Sequence, residues 1–201
     1  MLSRHGFAVL AILAFAVASV TAAQRYSKQD ADSFSAKMAR IVVQGKSKPL
    51  AGAQQRMTQI TDNELNAYFE HNAKEQIPVG IVEPTINAVG DGRVAGRAVV
   101  DLDVVRKQKQ RGWLDPMSYM TGRLPLTASG TLTTKDGVGR FNLESAEISG
   151  ISVPKTFIQE LLSYYSKTKE NPAGINMDDP FELPANIREI RVAKAQATIV
   201  Q

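Results

Sequence analysis

Few residues in this chain have the chemistry for catalysis, and they do not form a set. A hydrolase needs a nucleophile, a base and a group that orients the base. The two histidines are His5 and His71. His5 falls in an apolar leader, which leaves His71 at the end of a short amphipathic helix. An isolated histidine of that kind is ordinarily a surface residue. There is no Gly-x-Ser-x-Gly elbow and no phosphate-binding loop. Asp101 and Asp103 share one strand face, but a glycosidase pair cannot be argued from a single strand. Asp178 and Asp179 are adjacent with no third carboxylate at ligand spacing, which is too few oxygens for calcium. The chain has no cysteine, so disulfides, thiolate catalysis and Cys-ligated zinc are excluded. The expectation is a protein that is not an enzyme, with no cofactor and no metal.

What the chain has instead is grease in unusual places. Within 154–167, Phe157, Leu161 and Tyr164 form one helical stripe, and Ile158, Leu162 and Tyr165 form a second beside it. Together they exceed the single stripe of a surface helix. The insert 112–122 carries Trp113, Leu114, Met117, Tyr119 and Met120 between two strands. Trp113, Leu114, Met117 and Met120 are the candidates for a lid or a membrane contact, since such side chains are adaptable and amphipathic. Just before them, Lys107, Lys109 and Arg111 make the one basic cluster. A solvated hairpin end is its ordinary role, and contact with anionic lipid head groups is its functional one.

The elements that must position these residues follow from periodicity. Residues 1–23 read as a signal peptide: Arg4 and His5, an apolar run too short to span a bilayer, then small residues up to Ala23. The protein is therefore expected to be exported, to the periplasm or outside the cell. The formal charge is +4, well mixed, with no aromatic-interleaved basic motif for nucleic acid. Residues 28–44 form an amphipathic helix with Phe34, Met38, Ile41 and Val42 on one face. Residues 54–60 make a strand, and Thr61 with Glu64 form a capping box that starts a helix bearing Leu65, Tyr68 and Phe69. From 81 to 148 the period is two. Val94, Ala98, Val100 and Leu102 alternate with polar residues, as do Leu124, Leu126 and Leu132. Asp91-Gly92 and Asp136-Gly137 mark hairpins. Ala146 and Ile148 fall on the opposite parity from Phe141 and Leu143, which predicts a bulge near Ser145. Pro154 opens the helix 154–167, and 187–200 reads as one long terminal strand.

This order of parts resembles the tubular lipid-binding (TULIP-like) proteins. It is nearest to the LmeA-type periplasmic phospholipid-binding family and its small YpmS-like and YceB-like relatives. The residues that carry the resemblance are Ile60-Thr61-x-x-Glu64-Leu65-Asn66-Ala67-Tyr68, the paired strands with Asp-Gly turns, Val153-Pro154-x-x-Phe157 and Leu183-Pro184 before the terminal strand. It covers roughly 58–201 and implies an α+β fold: a strongly curved antiparallel meander wrapped on the long helix, with N-terminal helices added. It also implies a groove for acyl chains between helix and sheet. Its walls would be Phe157, Ile158, Leu161, Leu162 and Tyr165 on the helix, with Val100, Leu102 and Leu126 on the strands. The domain plan is a signal peptide at 1–23, a helix and linker at 24–50 and one lipid-binding-like domain at 51–201. The expected function is non-enzymatic binding of a phospholipid or fatty acyl ligand, with possible membrane-surface contact. The alternative is a structural or interaction protein of the cell envelope that docks a partner or membrane through its apolar 112–122 insert.

Overall fold

The computed structural model describes residues 26–47, 55–104, 121–169 and 171–201. Helix α1, Lys28–Gly45, begins where the Ser27 hydroxyl accepts the Asp30 amide at 3.0 Å. It buries Ala31, Phe34 and Ile41, while Met38 and Val42, expected on the same face, are 37% and 44% exposed. Helix α1 packs chiefly on the helix that follows it in the chain and covers one further layer.

That layer is a small sheet. Strand β1, Met57–Thr61, pairs antiparallel with β9, Gln196–Val200, and β9 with β8, Glu189–Ala193. Residues 187–200, expected as a single strand, are thus mostly a hairpin. It turns at Ala195, whose φ is 60°, and Lys194-Ala195 lacks the Gly or Asn that announces such a turn. The core is the cluster Phe34, Ile41, Ile60, Ile187 and Ile199, between α1 and this sheet.

Helix α2, Asp62–His71, starts on the expected capping box. Thr61 Oγ1 accepts the Glu64 amide at 3.2 Å and Glu64 Oε2 accepts the Thr61 amide at 3.0 Å. Glu64 does more than cap. Ser33 Oγ donates to it at 2.6 Å and the Lys37 ammonium lies 2.6 Å from Oε1, which ties α1 to α2. Burial alone would raise the Glu64 pKa, but the hydrogen bonds from Lys37, Ser33 and the Thr61 amide outweigh it and hold the group at about 2. A carboxylate depressed in the folded state stabilises the fold above its unfolded pKa, and that contribution is lost as pH falls. We expect stability to drop between about pH 4.5 and pH 2, with the drop flattened in Glu64→Gln. Urea titrations across that window test this; parallel curves for the two proteins would contradict it.

The larger sheet runs β2, Ile81–Gly90; β3, Arg93–Asp101; β4, Arg123–Lys135; β5, Val138–Ile148; β6, Ile151–Ser152. A further stub, β7 at Phe181–Glu182, also pairs with β5. The two expected Asp-Gly hairpins are present, with φ of 52° and 77° at Asp91-Gly92 and 50° and 85° at Asp136-Gly137. Both residues in the left-handed region is what a tight two-residue turn requires. The predicted bulge is there too. Ser129 faces Ser145 but Gly130 faces Leu143, leaving Glu144 as the extra residue.

The outer edge of β2 is closed by side chains of α2. The Asn66 amide both donates to and accepts from Ile86 at 2.8 Å, and Asp62 accepts the Ala88 amide at 3.0 Å. An unpaired strand edge is a template for aggregation, and here two polar side chains occupy it. The sheets meet near the β2–β3 turn: the Ala195 amide donates to the Ala88 carbonyl at 2.8 Å, and Thr134 Oγ1 accepts the Ile190 amide at 2.8 Å.

The expected architecture of one strongly curved meander around a long helix is overturned. There are two antiparallel sheets, and the larger is not strongly curled. Helix α3, Lys155–Tyr165, has only 11 residues. Its main neighbour is β5, because the tight β5–β6 turn delivers it beside the edge of the sheet. The hydrophobic centre belongs to α1, which lies outside the resemblance, and to the small sheet, which lies within it.

Candidate functional site

Each described residue first considered for chemistry holds structure; His5 lies outside the described residues. Asp101 is buried, accepting the Val104 amide at 3.1 Å and Arg123 Nε at 3.0 Å. The Val104 amide and then the Arg123 guanidinium hold its carboxyl below the usual range. Asp103 accepts the Gly122 amide at 3.2 Å. Its neighbour on the expected wet face is therefore part of a closure at the ends of β3 and β4. Asp178 pairs with Lys155 and Asp179 accepts from Asn176 at 3.0 Å. His71 Nε2 lies 2.9 Å from the Tyr26 carbonyl. Among the described residues no three His, Cys, Asp or Glu stand close enough together to hold a metal.

The strand registers put most of the large apolar residues of the larger sheet on one face. Val100 stands between Ile81 and Leu124; Leu126 stands between Ala98 and Ile148. The following rows are Gly96, Ala128 and Ala146, then Val94, Gly130 and Leu143, then Leu132 with Phe141. The reverse face reads Arg97, Thr127 and Glu147, then Arg93, Thr131 and Asn142. Apart from the row Val82, Val99 and Pro125 it is polar, laced by the Ser129–Ser145 bond at 2.7 Å. The bulge keeps the apolar face continuous, since it returns Ala146 and Ile148 to the side of Leu126.

This apolar face is unfinished as a core. Ala146 is buried, but Val94, Val100, Leu124, Leu126, Leu132, Phe141, Leu143 and Ile148 are all only half-buried. The core of the molecule lies elsewhere. Of the expected groove residues, the structure brings Val100 and Leu126 into adjacent rows of this face. Leu102 lies just past β3, buried, its amide bonded to the Gly122 carbonyl at 3.0 Å. Phe157, Ile158, Leu161 and Leu162 lie on α3, half-buried, beside β5. Helix and strands therefore flank one another at the β5 side, and α3 is not laid across β3 and β4 as a groove wall. The Tyr165 side chain, the lid candidates Trp113, Leu114, Met117 and Met120, the head-group candidates Lys107, Lys109 and Arg111, and the leader 1–23 lie outside the described residues.

Sequence reasoning missed a cavity. A pocket of about 690 Å³, half open to solvent, lies between the end of α2, residues 74–80 and the start of β2. Phe69, Ile77, Val79, Ile81 and Val82 line it, with Glu70, Lys74 and Glu83. A bulge builds its β2 wall. Val82 faces Val99 and Thr85 faces Arg97, so Glu83 and Pro84 together oppose Ala98. Glu83 takes a φ of 50° to do so, a conformation rare for a residue with a Cβ. The pair Glu83-Pro84 inside an apolar run was the available signal, because proline within a strand marks an edge or a bulge.

No family model matches this chain and no curated protein does. A crystal structure of lipopolysaccharide binding protein is similar over 72% of this chain and 40% of its own, at 16% identity and a TM-score of 0.22. The chain thus spans well under half the length of that protein, and at that score the likeness carries no argument about fold or ligand.

Proposed function

We propose that this chain is an exported, non-enzymatic protein that binds the acyl part of a lipid against the apolar face of its larger sheet, with α3 along one side. One observation carries the reading. A face of large aliphatic side chains running from β3 to β5 stays half-buried while the packed core sits under a different sheet. Close packing is the norm for a protein interior, so an aliphatic face left half-covered calls for something apolar to complete it. Each Å² of that face removed from water by an acyl chain contributes about 25 cal/mol. The reverse face has one apolar row, Val82, Val99 and Pro125, and is otherwise lined by polar residues such as Arg93, Arg97, Thr127 and Glu147.

Native mass spectrometry of protein purified without detergent, followed by solvent extraction, tests the reading. One acyl lipid per chain is expected, either co-purified or taken up from phospholipid vesicles. A mass that stays ligand-free after incubation with vesicles would contradict it.

A further inference from the structure

We infer that the cavity between α2 and the bulged start of β2 is a separate binding site, for an amphiphilic organic cation: an amine or quaternary ammonium on an apolar body. It does not depend on acyl binding to the sheet face. The volume, about 690 Å³, falls within the roughly 300–1,000 Å³ typical of small-molecule sites. The walls are mainly aliphatic, from Ile77, Val79, Ile81 and Val82, which suits an apolar body.

The sign of the charge comes from the remaining lining. Two carboxylates, Glu70 and Glu83, stand against one ammonium, Lys74. This net negative spot lies in a chain whose formal charge is +4, so it runs against the overall field. Glu70 is only loosely engaged: its Oε1 is 3.8 Å from His71 Nε2, an ion pair when that ring is protonated but beyond hydrogen-bond length, and that nitrogen sits nearer to the Tyr26 carbonyl. Glu83 is exposed and is placed in the wall by the bulge. Two aromatic residues, Tyr26 and Phe69, also line it. Ring faces attract ammonium groups, and carboxylates beside them add direct attraction. An anionic head group would meet two like charges here and only one opposite charge.

The test compares decyltrimethylammonium with decyl sulfate, equal chains with opposite heads, below their micelle concentrations. Methyl NMR on the purified protein locates binding and a titration gives the affinity. The expected result is saturable shifts at Ile77 and Val79 with the cation, at least about tenfold tighter than with the sulfate at the same methyls. Glu83→Gln, at an exposed position, should weaken the cation by about two- to fivefold and leave the sulfate unchanged, the size expected for one solvated charge contact. Equal affinity for the two heads at these methyls would overturn the inference. So would an absence of shifts there, or a Glu83→Gln protein that binds the cation as tightly as the parent.

Discussion

Leu126→Arg is expected to lower acyl affinity at least about a hundredfold while leaving the protein folded. Leu126 stands in the second row of the apolar face, between Ala98 and Ile148, and is half-buried. An arginine there is harmless in the free protein, because its stem lies along apolar neighbours while its head stays in water. Once an acyl chain covers the face, the same guanidinium is stripped of water with no partner, and an unpaired buried charge costs several kcal/mol. Stability should change by only about 1 kcal/mol, as for most substitutions, which at this chain length moves the melting temperature by roughly 2–4 °C. Displacement of a fluorescent fatty acid gives the affinity and a thermal melt gives the stability. Thr127→Arg, one residue along on the polar face, is the control and should change neither. If Leu126→Arg unfolds the protein, the face is ordinary core; if it folds and still binds, the face is not the site.

The second large effect separates the core from that face. Ile41→Ala should cost about 2–5 kcal/mol, the range for truncating a buried aliphatic residue. Ile41 is 1% exposed and packs with Phe34, Ile60, Ile187 and Ile199. The loss has a long reach, because it loosens α1 from the small sheet, and that sheet ties β1 to β9 across almost the whole chain. Val42→Ala, next door and 44% exposed, should stay within about 0.5 kcal/mol. Denaturant midpoints measure both. Similar costs for the two would mean that α1 does not cover the core in the way its burial pattern indicates. Acyl binding per folded molecule should be unaffected by Ile41→Ala, since the cluster lies outside the apolar face.

The parts of this fold legible in the sequence were those decided within a few residues. The Thr61–Glu64 capping box, the Asp91-Gly92 and Asp136-Gly137 turns and the parity slip that became the Glu144 bulge are all local events with a chemical signature. The Lys194-Ala195 turn has no such signature: Ala195 adopts a positive φ because β8 and β9 impose it, and so a hairpin was read as one strand. Pairings between distant segments were likewise invisible. Met57 opposite Val200 is what makes a second sheet, and nothing near either residue announces it. The α3 helix misled for a related reason. Two apolar stripes show that a helix is not a plain surface helix, but they do not say what covers it. Its place beside β5 follows from a two-residue β6 strand and a tight turn. Of the candidate site, Val100 and Leu126 were legible because alternation assigns faces. Their partners Ile81 and Ile148 needed the register, and the cavity needed a bulge at Glu83-Pro84 that only the pairing with β3 reveals.

The most direct test of acyl binding on the sheet is methyl NMR with a saturating medium-chain fatty acid. The predicted result is shifts at Val100, Leu124, Leu126 and Ile148, with Ile41, Ile60 and Ile199 unmoved. Shifts that spare the first group, whether absent altogether or confined to Ile77 and Val79, would contradict the account.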